Sequence, residues 1–283
     1  MGAALQLGAG FLSLSAIWNG EGIFAVRSVD AFPQVVARVK LKTMVQRRPQ
    51  PTYFQLSRST HYSLVFALPL LLAYEVLALL LNQSDLYGVR NSADVFLKLF
   101  LSYVGIHGFF GFGAAIVVAL LLFHWVGGLP RFGHLRVAII AGMLLESIVY
   151  SLVFGAVVGG ITHLLLAQPF PLSRSAQIMV SLGAGIYEEF MFRVLLLGAL
   201  IFLLHRLLSL SELMAYGIAA VLGAVLFSAF HYMGPYGDPW QLPSFLFRFI
   251  AGLILTGLYF ARGYGITAYT HSLYDLWLTF NML

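Results

Sequence analysis

Three charged residues stand inside an apolar run, GIYEEFMFRVLLLG, at residues 185–198. On a helix, Glu189 and Arg193 lie four positions apart on one face, with the acid on the N-terminal side, which is the order that favours an ion pair. Glu188 points about 100° away, so its carboxylate has no partner on its own helix. A desolvated carboxylate without a partner suits a general base. The run therefore predicts one ion pair and one candidate catalytic base, although all three residues could instead tie helices together.

Two later segments add histidines with helical spacing. Phe227 and His231 lie four apart in FSAFHYMG, and His271 and Asp275 lie four apart in THSLYDLW. Residues at this spacing share one face of a helix. A carboxylate one turn from a histidine can set the tautomer and charge of its imidazole. Together, Glu188, His231 and the His271–Asp275 pair are sufficient to activate a water molecule and stabilise an oxyanion.

The same side chains could also form a zinc site, because two histidines and a carboxylate leave a fourth position for water. The sequence lacks an HExxH segment, however, which supplies the paired histidines of the usual metalloprotease helix. It also has no cysteine, which excludes disulfides, Cys-ligated zinc and thiol catalysis. We therefore predict a site without a metal or another cofactor, and place a metal-dependent mechanism second.

The composition indicates a membrane protein. Hydrophobic residues make up 60% of the chain, charged residues only 10%, and the mean hydropathy is +0.89, whereas a soluble domain has about 25% charged residues. Lipid-exposed backbone must satisfy its hydrogen bonds internally, which favours helices. We expect an all-α fold, a polytopic transmembrane helical bundle. Such a protein would be an integral, multi-pass membrane protein, and if its source is bacterial it would lie in the cytoplasmic membrane.

The predicted bundle has seven to eight spans, each judged against the roughly 20 apolar residues needed to cross a bilayer. The apolar N-terminal residues 1–36 could supply the eighth. Glu75 and Glu146 fall inside predicted spans, and we interpret both as residues that lock helix packing. The seven spans are 62–81, 99–126, 137–162, 178–204, 213–232, 245–260 and 264–283.

Basic residues are concentrated before the first of these spans. Such a cluster next to a membrane span marks the cytoplasmic side and an anionic lipid surface. Nucleic-acid binding is the weaker interpretation, because no soluble domain would present the patch. We predict an N-terminal segment at 1–61 with a basic linker on the membrane surface, followed by one transmembrane domain at 62–283. The cluster comprises Arg38, Lys40, Lys42, Arg47, Arg48 and Arg58, with no acid among them.

The order of these motifs resembles the CAAX protease and bacteriocin-processing family of glutamic-type intramembrane proteases, which includes the CAAX prenyl endopeptidases. The family pattern is a Glu-Glu-x-x-x-Arg helix, a Phe-x-x-x-His helix and a final His-x-x-x-Asn helix. The resemblance covers about residues 178–280 and makes 62–283 a transmembrane protease domain. It implies metal-independent hydrolysis of a peptide bond in a membrane-associated peptide or protein. The expected partners are this substrate and the lipid bilayer, with no nucleic acid.

The resemblance also implies a role for each motif residue. Glu188 would take a proton from water that His231 helps to orient, and His271 with Asp275 would stabilise the oxyanion. Glu189 and Arg193 would be a supporting ion pair, and Phe227 of the second motif would be a further supporting residue. The chain departs from the family at Asp275, where many relatives have Asn. An ionised carboxylate cannot donate to an oxyanion as an amide can, so Asp275 would have to be protonated or support a cationic His271.

Two other function classes remain open from the sequence. A non-enzymatic member of the family could act in bacteriocin immunity or as a scaffold, although the combined presence of Glu188, His231 and His271 favours catalysis. A proton-coupled carrier could use Glu75 and Glu146, but it predicts an inverted repeat with broken helices, and none is evident in the sequence.

Overall fold

A computed structural model of the chain describes residues 51–82, 90–103, 105, 135–162, 172–233 and 237–280. This described part is helical throughout and has no strand, which confirms the all-α fold. Pro51–Leu283 forms one compact unit. The helices are α1 (Tyr53–Ser57), α2 (Thr60–Asn82), α3 (Ser92–Tyr103), α4 (Val137–Thr162), α5 (Arg174–Leu207), α6 (Glu212–Phe230), α7 (Leu242–Arg262) and α8 (Tyr264–Thr279).

Five of these helices, α2, α4, α5, α6 and α7, are long and apolar enough to cross a membrane. They correspond to five of the seven predicted spans and confirm a multi-pass helical membrane protein. Helix α8 has 16 residues, about 24 Å at 1.5 Å per residue, which is shorter than a typical hydrocarbon core of about 30 Å. The predicted span 99–126 and the possible eighth span at 1–36 lie mostly or wholly outside the described residues.

Helix α5 is not a regular α-helix. It runs for 34 residues from Arg174 to Leu207 and contains π-helical turns at Ala184–Glu188, Phe190–Leu196 and Phe202–Leu207. A π turn inserts an extra residue into the helical turn and occurs frequently at functional sites. The first two of these turns lie on either side of Glu189, so the irregular part of the helix is the part that presents the paired carboxylates.

Helix α8 lies at the centre of the bundle and packs against α2, α4, α5 and α7. It lies close to α5 at Gly185, where an added Cβ would lie 2.1 Å from the Ser272 Oγ and 2.2 Å from the Ala268 carbonyl oxygen. Only a residue without a side chain fits there. Gly185 therefore brings the segment with the paired carboxylates next to the helix that contains His271.

A partly buried ion pair joins the middle of α4 to the C-terminal end of α7. Glu146 accepts a hydrogen bond from the Tyr53 hydroxyl at 2.7 Å and pairs with the Arg262 Nε at 2.5 Å. Burial, together with this hydrogen bond, raises the pKa of Tyr53 to about 12, so the phenol remains a donor at neutral pH. Glu146 thus acts in packing, and Tyr53, which lies within the predicted linker, contacts the bundle.

Candidate active site

The carboxylate of Glu188 faces the imidazole of His231. Glu188 is buried in α5, and its Oε2 lies 3.8 Å from the His231 Nε2. His231 is the C-cap residue that directly follows α6, and its Nδ1 lies 2.9 Å from the Phe227 carbonyl oxygen. A carbonyl can only accept, so the Nδ1 donates this bond. In the neutral ring the Nε2 is then an acceptor that points towards Glu188.

Glu189 lies between two cationic or potentially cationic groups. It is fully buried, and its Oε2 lies 3.1 Å from the Arg193 Nε, which is the ion pair that the four-residue spacing predicts. Its Oε1 lies 2.6 Å from the His271 Nδ1. Because a carboxylate accepts, the His271 Nδ1 donates this bond. The second contact joins residues 82 positions apart and was not predicted from the motifs.

The acceptor of the hydrogen bond that orients His271 is therefore Glu189 and not Asp275. The His271 Nε2 lies 3.6 Å from the Asp275 Oδ2, which is too long for a hydrogen bond. Asp275 is close enough to act on the imidazole through its charge. The structure brings the two residues together as expected, but gives the orienting role to a different carboxylate.

Phe227 lies at the centre of the predicted residues. Its ring centroid is 5.0 Å from that of His231 and 6.3 Å from that of His271. The guanidinium of Arg193 lies 4.4 Å from the same ring, within the range of a cation–π contact. The Phe227 side chain thus packs between both histidines and the arginine of the buried pair. All seven predicted site residues lie in one cluster.

Asn91 joins this cluster without having been predicted. Its Nδ2 donates to the Glu188 Oε1 at 2.7 Å, and its Oδ1 accepts from the Ala93 N–H at 2.9 Å. The segment NSADVF is typical of a helix start, because Asn is a preferred N-terminal capping residue. That signal predicts the contact with Ala93. It could not predict a contact with a residue 97 positions away.

Within the ranges that the structure describes, no group of three or more His, Asp and Glu side chains is arranged to hold a metal ion. The histidines contact different carboxylates, since His231 faces Glu188 whereas His271 bonds to Glu189. These two histidines therefore do not converge on a common point with a carboxylate, as a zinc site requires. The arrangement instead suits proton transfer by paired side chains.

Comparison with known proteins agrees with the motifs. Residues 171–277 match the family model described as type II CAAX prenyl endopeptidase, Rce1-like. This range includes all seven predicted site residues and the whole of α6 and α7. No curated protein and no solved structure matches the chain. The resemblance inferred from the motifs is confirmed: this multi-pass membrane protein carries an Rce1-like domain of the CAAX protease family at residues 171–277.

Proposed function

We propose that this protein is a glutamic-type membrane endopeptidase in which Glu188 activates the attacking water. The observation that supports this role is the 3.8 Å separation between the Glu188 Oε2 and the His231 Nε2. Both atoms are acceptors, and polar atoms at such a separation are commonly bridged by water. A water molecule there would donate one hydrogen to each atom, and its oxygen lone pairs would be directed away from both, towards a substrate.

In the proposed reaction Glu188 acts first as a base, in its ionised form, and then as an acid, in its protonated form. The water oxygen attacks the carbonyl carbon of the scissile peptide bond while Glu188 takes a proton from that water. The carbonyl oxygen becomes the oxyanion of a tetrahedral intermediate. Glu188 next gives the proton to the amide nitrogen, the oxyanion reforms the carbonyl as the carbon–nitrogen bond breaks, and the products are an amine and a carboxylic acid, which releases its own proton to water at neutral pH.

His271 is the proposed oxyanion donor. Its Nδ1 is held by Glu189 at 2.6 Å, so its Nε2 is the ring nitrogen available to a substrate. In the doubly protonated ring this Nε2–H would donate to the oxyanion, and the nearby Asp275 would compensate the positive charge. A fixed donor in a buried site needs no reorganisation as charge develops. Glu189 and Arg193 support the site by holding this imidazole in place.

The proposed substrate is a membrane-associated peptide or protein. The matching family model describes prenyl endopeptidases, and the site lies among helices long and apolar enough to cross a bilayer. A substrate with a lipid anchor would be held at the membrane, where its scissile bond can reach a buried site. We therefore include both prenylated and unmodified peptides in the test of activity.

The test uses purified protein in detergent and two internally quenched CAAX peptides, one farnesylated and one not. We expect wild-type protein to cleave at least one of them and Glu188→Gln to lose about 10²–10⁴-fold in kcat, the usual contribution of a general base. Glu212→Gln is the matched control, because the same change is made at an exposed position at the start of α6. Wild-type kcat in Glu188→Gln would contradict the proposal.

Metal independence is tested on the same assay. Proton transfer by Glu188 and His231 requires no Lewis acid, so we expect turnover to survive exhaustive chelation and the active protein to contain no stoichiometric zinc. Activity that is lost on chelation and restored specifically by zinc would replace the glutamic mechanism with a metal-dependent one.

A further inference from the structure

We propose that Asn91 is a positioning residue for Glu188, fixed in place by a buried polar network between α2, α3 and α5. The inference rests on the proposed role of Glu188 as general base. We call this set the Asn91 network. Besides Asn91 it comprises Tyr74, Glu75, Arg90, Asp94, Lys98 and Tyr187.

The orientation of the Asn91 amide is determined by its two side-chain bonds. The Oδ1 accepts from the Ala93 N–H at 2.9 Å, and the Nδ2 donates to the Glu188 Oε1 at 2.7 Å. Rotating the amide by 180° would lose the bond to Ala93 and place two oxygens against each other. The side chain is 3% exposed, so water cannot easily replace either partner. Asn91 therefore presents a fixed donor to Glu188.

The backbone of Asn91 is fixed by Asp94 through a tyrosine. The Asn91 N–H donates to the Tyr74 hydroxyl oxygen at 3.2 Å, and this hydroxyl donates to the Asp94 Oδ2 at 2.7 Å. Asp94 is fully buried and has ion pairs with the Arg90 Nη1 at 2.6 Å and the Lys98 Nζ at 2.7 Å. The position of Asn91 thus depends on a cluster of charged groups and not on packing alone.

The network also reaches α5 from its other side. Lys98 Nζ donates to the Glu75 Oε1 at 3.3 Å, and the Tyr187 hydroxyl donates to the same oxygen. Tyr187 directly precedes Glu188 in the sequence and is completely buried. Glu188 is consequently held both through its own carboxylate, by Asn91, and through the adjacent residue, by Glu75. This contact gives Glu75 a role in supporting the site.

Among the described residues, the network pairs two acids, Glu75 and Asp94, with two bases, Arg90 and Lys98. Burying such pairs is costly, and apolar residues of similar volume often stabilise a protein as well or better. Stability therefore does not account for these buried charges. We attribute the network to the geometry that it imposes on the Glu188 carboxylate. That geometry occupies the Glu188 Oε1 with an amide donor and leaves the Oε2 to face His231.

Two substitutions test the contact. Asn91→Asp retains the shape of the side chain and an acceptor for Ala93, but it replaces the Nδ2 donor with an oxygen. Asn91→Leu removes both bonds at similar volume. We expect either change to lower kcat about 10- to 100-fold, as loss of a supporting contact typically does, with KM within about twofold of wild type. The substrate is whichever of the two quenched CAAX peptides the wild-type protein cleaves faster.

Tyr53→Phe is the matched control, because it removes a partly buried hydrogen bond of 2.7 Å to Glu146, away from the site. It should lower the melting temperature without changing kcat. A purely structural role of Asn91 would give the same result in its variants. Wild-type kcat in Asn91→Asp and Asn91→Leu, alongside an inactive Glu188→Gln, would overturn the inference and leave the proposed function intact.

A spectroscopic measurement tests the contact without turnover. The carboxylate stretching band of Glu188 is identified by infrared difference spectroscopy as the band that Glu188→Gln removes from the detergent-solubilised protein. Loss of the amide donor should shift this band in both Asn91 variants and leave it unchanged in Tyr53→Phe. An unshifted band would overturn the inference. A shifted band in a protein that cleaves neither peptide would support the contact and count against the proposed function.

Discussion

Two adjacent carboxylates on α5 have different environments, and this difference is the basis for the different roles that we propose for them. Glu188 faces the acceptor nitrogen of His231 and retains one oxygen for a proton. Glu189 has both oxygens engaged, one by Arg193 and one by His271. A carboxylate with both oxygens engaged serves to orient its neighbours, whereas one with an available oxygen can accept a proton.

Glu189→Gln should therefore damage stability as well as activity. The substitution leaves the Arg193 guanidinium, which is 2% exposed, without its carboxylate partner. Breaking a buried pair in this way costs about 3–5 kcal/mol, and the bond that orients His271 is weakened as well. We expect a lower melting temperature, lower yield and lower kcat, whereas Glu188→Gln should lose only activity. A stable Glu189→Gln beside an unstable Glu188→Gln would reverse the two assignments.

Asp275→Asn should retain substantial activity. The Asp275 carboxylate lies 3.6 Å from the His271 Nε2 and is not hydrogen-bonded to it, and the ring keeps its orienting bond to Glu189. The amide also restores the residue that is commoner in the family and can itself donate to an oxyanion. We expect kcat/KM within about tenfold of wild type, a difference of at most about 1.4 kcal/mol.

Asp275→Ala is the comparison for this prediction, because it removes both the charge and the capacity for hydrogen bonding. Its kcat/KM on the same peptide should fall below that of Asp275→Asn. If the alanine variant is the more active of the two, the amide at this position does not contribute to the reaction.

At the scale of elements, the close approach of α5 and α8 brings Glu189 and His271 within hydrogen-bonding distance. Gly185→Ala should disturb it, because the new Cβ would meet the Ser272 Oγ at 2.1 Å and the Ala268 carbonyl oxygen at 2.2 Å. Overpacking of this kind costs about 1–3 kcal/mol, occasionally more. We expect a lower melting temperature and a lower kcat, since separating the helices lengthens the bond between Glu189 and His271.

Gly198→Ala on the same helix is the control for this substitution. Its added Cβ would meet nothing within 4 Å, and alanine is favoured over glycine in a helix by about 1 kcal/mol. Its melting temperature should equal or exceed that of the wild-type protein. Equal melting temperatures for wild type and Gly185→Ala would show that the two helices can separate without cost.

At the scale of the whole molecule, we predict that residues 38–58 face the cytoplasm. The segment has six basic residues and no acidic one, and basic residues beside a membrane span are retained on the cytoplasmic side. A reporter protein that is active only in the cytoplasm should be active when it is fused after residue 50, whereas one that is active only outside the cell should be inactive there. If only the reporter that is active outside the cell works at this position, the predicted orientation of the bundle is wrong.

Much of this architecture can be read from the sequence because membrane helices are specified locally. Hydropathy and length identify α2, α4, α5, α6 and α7, since lipid-exposed backbone must bond within its own segment. Spacing along one helix likewise predicts the pair of Glu189 and Arg193, because residues four apart share a face. The order of the motifs was sufficient to indicate the family. Each of these inferences uses residues on one helix or the order of helices along the chain.

Contacts between helices were decided by the tertiary structure. Asn91 bonds to Glu188 across 97 positions, and Glu189 bonds to His271 across 82. Lys98 reaches Glu75 from the first part of α3, which lies outside every predicted span. Helical periodicity determines which residues share a face, but not which faces meet, because the meeting depends on how side chains of several helices pack. The sequence alone therefore supplied the catalytic candidates, and only the packing of α3 and α8 against α5 determined which group supports each of them.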